Sequence, residues 1–354
     1  MAVADAVIKP DELVLVTGAA GFIGPRVVAS LIGHGFRNLR CLVRPSGNSE
    51  KLEALMTGRE GGAGVELLKG NLLSREDCSR AVRDASVIYH LAASRGEKSF
   101  PDAFMNSVVT TRNLLEASLR SPCLRRFVSI SSFSVYSNRG NPRESLLDES
   151  CHLDKHPEEC RDAYSFAKLK QDELVIRYGK EFGIPYTIVR PGVVYGPGNE
   201  GITGRVGIGT FGLFLHLGGS NRIPLTYVDN CAEAIVLAGL KRGVDGEVFN
   251  VVDDDLPSSR QFLRLYKRNV RHFRSLYVPH AISYLLCYLW EKYSDWSEGQ
   301  LPPVFSRAAW HNYWKRTYYT NEKIKNRLGW APKVSLADGL ERYFESCRQK
   351  GSHA

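Results

Sequence analysis

Three glycines at three-residue intervals constrain this chain more than any other feature. Gly18, Gly21 and Gly24 follow the apolar run Leu13-Val-Leu-Val16 and lead into a helical pattern from Phe22 to His34. Four consecutive apolar residues read as a short strand buried on both faces, as the central strand of a parallel sheet is. A strand that turns on glycines into a helix is the unit that cradles a dinucleotide. Gly18 permits the tight turn, Gly21 lets the backbone approach a pyrophosphate, and Gly24 lets the helix lie close on the strand. The free N–H groups and partial positive charge of the helix N-terminus then face the phosphates. Pro25 falls in the first turn, where a missing N–H does no harm.

The segments that follow alternate. Residues Leu39–Val43, Val65–Gly70, Ala85–Ala93, Arg126–Ile130 and Ile184–Val189 read as strands, and Lys51–Met56, Arg75–Asp84, Asn106–Leu119 and Tyr164–Phe182 as helices. That order predicts an α/β fold, a Rossmann-type doubly wound parallel sheet. Ligands gather at the carboxyl ends of such strands, where His90, Ser131 and Ser132 fall. Beyond Arg190 the alternation lapses. Gly201–Gly219 reads as a flexible, glycine-rich substrate loop followed by a helix, Cys231–Leu240 as a helix and Glu247–Val252 as a further strand. The last hundred residues read as a smaller, mostly helical C-terminal cap. The expected division is a dinucleotide-binding domain over 10–190 and 226–252, and a substrate-binding cap over 191–225 and 253–350.

Composition adds bounds. The 354 residues, 43% hydrophobic and 24% charged, are ordinary for a soluble globular protein. Met1–Pro10 does not read as a signal peptide, and the eight scattered cysteines read as reduced thiols, so a cytoplasmic setting is expected. Cys151, His152, His156 and Cys160 lie close together, but Pro157 interrupts them and no paired cysteines accompany them, so no metal is expected. The net charge of +9 is regional. Between Arg260 and Arg327 stand 13 Lys and Arg against four acids, a density suited to an anionic substrate, an acidic membrane surface or nucleic acid, or to a plain solvated basic face. The expected partners are a small-molecule substrate and, peripherally, a membrane through this basic cap; nucleic acid is not expected. Ala281–Trp290, the most apolar stretch of the cap, is about half the length a spanning helix needs.

Two features bear on chemistry. Arg44 ends the second strand, where an NAD-specific site would carry an acid for the ribose hydroxyls; a guanidinium there suits the 2′-phosphate of NADP. The cofactor is therefore NAD(P), with NADP favoured, and Asn71-Leu72 fall where the adenine would sit. Ser132, Tyr164 and Lys168 form a coherent catalytic set. Tyr and Lys four apart share a helical face. The ammonium would favour the phenolate and lower the phenol toward working range, while the serine hydroxyl holds the substrate oxygen.

Together the patterns Thr17-Gly-x-x-Gly-x-x-Gly24, Leu91-Ala-Ala93, Ser131-Ser132, Tyr164-x-x-x-Lys168, Arg190-Pro191…Tyr195-Gly-Pro197 and Leu328-Gly-Trp-x-Pro332 resemble the extended short-chain dehydrogenases/reductases, the NAD-dependent epimerase/dehydratase superfamily. The resemblance covers nearly the whole chain. It implies that Ser132, Tyr164 and Lys168 are catalytic and that Gly18, Gly21, Phe22, Ile23 and Gly24 cradle the pyrophosphate. It also implies that Leu91, Ala92 and Ala93 line the cofactor, that Pro191 and Val194 flank the nicotinamide, and that Lys168 reaches its ribose. Asn71 departs from the family's usual Asp. Thr226–Asn230 and the aromatic, basic cap resemble 3β-hydroxysteroid dehydrogenase-like and dihydroflavonol reductase-like members, while Val194-Tyr-Gly-Pro-Gly198 occurs equally in nucleotide-sugar epimerases. Phe133-Ser134 stands where dehydratases carry an acidic pair, which argues against dehydration. Three readings follow: an oxidoreductase for a bulky secondary alcohol or ketone (sterol-like, polyketide- or flavonoid-like), a nucleotide-sugar 4-epimerase holding NAD, or a non-catalytic dinucleotide sensor. A homodimer is implied by analogy.

Overall fold

The structure is a computed structural model that describes residues 5–57, 64–93, 99–138, 142, 144–154, 162–210, 212–297 and 306–351. His156, Pro157 and Cys160 of the Cys/His cluster lie outside them.

Seven strands form the central sheet: β1 (Leu13–Thr17), β2 (Asn38–Val43), β3 (Gly64–Lys69), β4 (Ala85–His90), β5 (Arg126–Ile130), β6 (Tyr186–Pro191) and β7 (Val248–Val251). Their order across the sheet is β3-β2-β1-β4-β5-β6-β7, and every neighbouring pair is parallel. Leu13 to Thr17 are all buried, which is why β1 is apolar without alternation. The order reverses between β1 and β4, and the register sets Thr17 opposite His90 at their carboxyl ends. Ligand crevices of doubly wound sheets open at that place.

Helices cover both faces. Gly24–Gly33 and Val228–Leu240 pack on one, with Ile324, Leu328 and Trp330 in the same core. These last three fall within the stretch expected to be cap, yet they pack with the sheet layer. Arg75–Val82, Thr110–Ser118 and Ala163–Phe182 cover the other face. The helix expected over Asn106–Leu119 begins earlier, at Phe100, and widens to a π turn over Phe104–Val109. Among the described residues no helix stands near Gly219, where one was expected. That stretch instead holds the antiparallel pair Gly207–Thr210 and Leu213–His216, joined in parallel by Ser275–Tyr277. Gly207 admits no side chain there, because a Cβ would lie 2.0 Å from the Leu215 carbonyl oxygen.

Glu233 ties the first helix to the C-terminal region. Its carboxylate accepts from Ser30 Oγ at 2.7 Å, His34 Nε2 at 3.1 Å and Lys333 Nζ at 2.8 Å. Burial opposes the charge, but these donors outweigh it and hold the carboxyl at about 2, against 4.5 unperturbed. The stabilisation, roughly 3 kcal/mol at most, is complete above the unfolded value and is lost as pH falls from there through about 2. Glu233→Gln is therefore expected to lower Tm at neutral pH, with the gap to wild type closing in acid; an equal gap at both ends would refute this.

Candidate active site

The glycine turn fits a dinucleotide. Gly18 has φ +68°, and a Cβ on it would stand 2.7 Å from the Ala92 nitrogen, so the residues following β4 press directly on the turn. A Cβ on Gly24 would lie 2.3 Å from the Ala19 carbonyl oxygen and 2.4 Å from that of Gly18. Gly24 is thus needed for the turn to close on itself rather than for helix–strand approach. Gly21 donates its N–H to the Gly18 carbonyl at 2.9 Å. A crevice of about 270 Å³ opens beside it, between Ala20, Gly21 and Phe22 on one wall, Asn48, Glu50 and Leu52 on another, and Gly198. Arg26 donates to the Phe22 and Pro197 carbonyls at 3.2 and 2.8 Å, fixing the distance between two of those walls. Backbone N–H groups at a helix start, without bulky side chains, are what a pyrophosphate requires.

Arg44 follows β2 on the surface. Among the described residues its guanidinium has no ion-pair or hydrogen-bond partner. Asn71 uses its amide oxygen to accept from the Leu73 N–H at 3.0 Å, and Leu72 is buried behind it. Leu91, Ala92 and Ala93 are half-buried after β4, and Pro191 ends β6. Ile23 and Val194 are both partly buried and pack against the same two core clusters.

The three candidate catalytic residues converge. Ser132 follows β5 by two residues, in extended backbone (φ −161°), and its Oγ accepts from the Ser134 N–H at 3.2 Å. Tyr164 enters on the first turn of Ala163–Phe182, whose N-cap Asp162 accepts from the Tyr164 N–H at 3.1 Å. Burial pushes the Tyr164 phenol up, the nearby Ser132 hydroxyl draws it down, and Asp162 and Asp172 add to the rise. Lys168, one turn on and buried, donates Nζ to the Ile130 carbonyl at 2.6 Å. Burial brings this ammonium down to about 8, with Asp172 opposing. The expectation that Lys168 makes the phenol acidic is not met in this arrangement. The ammonium is directed at the end of β5, and the phenol rests above its ordinary value.

Two buried chains hold this helix, and neither was assigned from sequence. Asp172, one turn beyond Lys168, accepts from Arg190 Nε and Nη2 at 3.0 and 2.9 Å. Arg190 Nη1 donates to the Tyr136 hydroxyl at 3.0 Å, and Tyr136 donates to Asn250 Oδ1 at 2.8 Å. The spacing of Asp172 from Lys168 was the available signal. The second chain runs from Thr17 through His90 and Thr111 to Gln171, with contacts of 2.8, 2.8 and 2.7 Å. Burial, then the Lys168 charge, lowers His90 to about 3, so it bridges as a neutral ring. A small cavity of about 20 Å³ lies next to Ser134 and Ser165, walled by Phe133, Arg205, Tyr313 and Tyr319. The cap thus reaches the strand ends with aromatic side chains. Among the described residues no cluster of potential metal ligands occurs.

A glycine-turned strand and helix at the switch point of an all-parallel sheet define a dinucleotide-dependent α/β enzyme. The model of the NAD dependent epimerase/dehydratase family matches residues 14–251, well over half of the chain, and the chain belongs to that family. It is 24% identical to 3beta-hydroxysteroid-dehydrogenase/decarboxylase isoform 1 of Arabidopsis thaliana, over 96% of this chain and 80% of that one. It is 27% identical to UDP-N-acetyl-alpha-D-glucosaminuronate decarboxylase of Bacillus cytotoxicus, over 70% and 77% respectively. The crystal structure of UDP-glucuronic acid 4-epimerase from Bacillus cereus, in complex with NAD, shares the fold with a TM-score of 0.71 at 24% identity, over 96% of this chain and 99% of that one. These relatives are named for a hydroxysteroid and for UDP-sugars, all small molecules. No described helix is long and apolar enough to cross a membrane.

Proposed function

We propose that the chain is an NAD(P)-dependent dehydrogenase or reductase of a bulky secondary alcohol or ketone, with Ser132, Tyr164 and Lys168 as its catalytic residues. The observation that carries this reading is the meeting of three groups at the end of β5: Ser132 just beyond the strand, Tyr164 on the first turn of Ala163–Phe182, and Lys168 one turn further along that helix with its Nζ on the Ile130 carbonyl. Gly18, Gly21, Phe22, Ile23 and Gly24 would hold the pyrophosphate, Asn71 and Leu72 the adenine end, and Leu91–Ala93, Pro191 and Val194 the nicotinamide end. Bound there, the nicotinamide supplies or accepts a hydride. Ser132 holds the substrate oxygen beside Tyr164. A phenol whose pKa is raised keeps its proton at neutral pH, so Tyr164 is set to donate it to the oxygen of a ketone. Lys168 remains mostly charged at that pH and, held on the Ile130 carbonyl, would reach the ribose of the bound nicotinamide.

Loss of NAD(P)H absorbance on adding a ketone tests the reading; substrate interconversion with no net cofactor change would favour the epimerase instead. Arg44, exposed and without an ion-pair partner among the described residues, supports NADP over NAD. Arg44→Asp is expected to shift the NADP/NAD preference at least roughly tenfold toward NAD, since a carboxylate repels the 2′-phosphate that a guanidinium pairs with. An unchanged ratio of kcat/KM values would remove Arg44 from that site. A homodimer built on the helical stretch that starts at Phe100 and on Ala163–Phe182 is supported by the exposed Phe104 and Met105. The basic cap remains our candidate for peripheral membrane contact.

A further inference from the structure

Helix His280–Trp296 presents its apolar residues to solvent. Its buried positions are Ser283, Cys287 and Ser294, whereas Ile282, Leu285, Leu286, Leu289, Tyr293 and Trp296 are exposed, Trp296 by 78%. Those six recur at intervals of mainly three and four residues and therefore share one face. Leu276 and Tyr277, on the strand that leads into the helix, are exposed as well. A cavity of about 360 Å³ lies against the helix, walled by Leu215, Leu217 and Trp314 on the cap side and by Leu286, Leu289 and Trp290 on the helix. Its wall thus includes two leucines of the outward row. Contiguous apolar surface of this kind marks an interaction site, unlike scattered single residues.

We propose that this face lies flat in the interfacial region of an anionic bilayer, which gives the peripheral contact named above a definite surface and lipid chemistry. Seventeen residues at the α-helical rise, interrupted by Glu291, Lys292 and Asp295, cannot cross a hydrocarbon core. The same helix can lie in the membrane plane with its apolar row immersed. Tyr284, Tyr288, Tyr293, Trp290 and Trp296 supply the amphipathic rings that settle at headgroup level. Glu291 is paired with Arg307, whose Nε donates to it at 2.6 Å, so this acid on the helix carries no unopposed charge toward lipid phosphates.

Charge selects the occupant. Arg264, Arg268, Arg271 and Arg274 are exposed and have no ion-pair partner among the described residues. They lie on helix Ser259–Asn269 and on the turn running into Ser275–Tyr277, the strand that carries the exposed Leu276 and Tyr277. Anionic headgroups complement such a cluster. A two-fold contact between copies would bring the same arginines against each other in a self-matching interface, which their charge disfavours.

The full chain is tested for sedimentation with mixed phosphatidylcholine–phosphatidylserine vesicles and with pure phosphatidylcholine vesicles at low salt. Quenching of tryptophan fluorescence by lipids carrying a doxyl group on the acyl chain is read in parallel. Binding to the mixed vesicles is expected, weaker by roughly tenfold or more on pure phosphatidylcholine, with quenching that Trp296→Phe diminishes. Leu285→Glu/Leu289→Glu and Arg268→Glu/Arg271→Glu should each weaken binding by a similar factor, with unchanged thermal melts. Tyr164→Phe should bind vesicles as wild type does, so the docking surface stands or falls separately from the catalytic reading. A wild-type chain that stays in the supernatant with both vesicles would overturn the proposal. So would a Leu285→Glu/Leu289→Glu protein that binds like wild type. A wild-type dimer that this double variant splits into monomers would assign the face to a second copy instead.

Discussion

Tyr164→Phe is expected to lower kcat by about 10²–10⁴-fold, the range in which a positioned acid or base contributes, while cofactor affinity and Tm stay close to wild type. The phenol is half-buried at the strand ends, on the side of Ser132. Removing one oxygen leaves the ring's packing intact and takes away only the proton source. Ser132→Ala should produce a smaller loss, because it removes an orienting donor and leaves the proton source in place. Titration of nicotinamide fluorescence separates the two quantities: binding preserved with turnover lost is the expected pair. Equal loss of both would make Tyr164 a binding residue, and undiminished turnover would favour the non-catalytic sensor.

The second large effect belongs to Arg190. Its guanidinium and the Asp172 carboxylate are 3% and 0% exposed, so neither charge has water to fall back on. Arg190→Met should cost about 3–5 kcal/mol, the range for breaking a buried pair from one side. Burial already pushes the Asp172 carboxyl up, with the Arg190 guanidinium the main opposing influence. Without Arg190 the carboxyl takes a proton and loses its charge. That charge is what raises Lys168 against the pull of burial. Wild-type activity should therefore decline above about pH 8 as Lys168 loses its proton, and in Arg190→Met the decline should begin at lower pH. The double variant Arg190→Met/Asp172→Leu should recover much of the Tm, since an apolar pair replaces a buried carboxyl left without its partner, without restoring the alkaline limb. A pH profile unaltered by Arg190→Met would disconnect this pair from Lys168.

Much of this was legible in the chain because it rests on local pattern. The run Leu13–Val16 followed by three spaced glycines identified the central strand, its turn and the helix after it, since backbone sterics at Gly18 and Gly24 depend on residues a few positions away. Alternating strand and helix gave the parallel sheet. Where periodicity lapsed the reading weakened. Gly201–Gly219 has glycines that suit either a loop or a hairpin, and only pairing with the distant Ser275–Tyr277 decides for strands. Likewise Ile324, Leu328 and Trp330 carry no mark of which layer they join.

At the site the sequence by itself determined which chemistry is at hand: a serine at a strand end, a tyrosine and a lysine sharing a helical face, and an arginine ending the second strand. Only the tertiary structure decided what state those groups are in. Acidity depends on burial and on charges brought from elsewhere in the chain: Lys168 is lowered by its surroundings and directed at Ile130, and Asp172 is matched to Arg190 across 18 residues. The same holds for His280–Trp296, whose apolar residues are plain in the sequence. Which way they face is set by the elements packed against the helix's other side, and no local rule contains that.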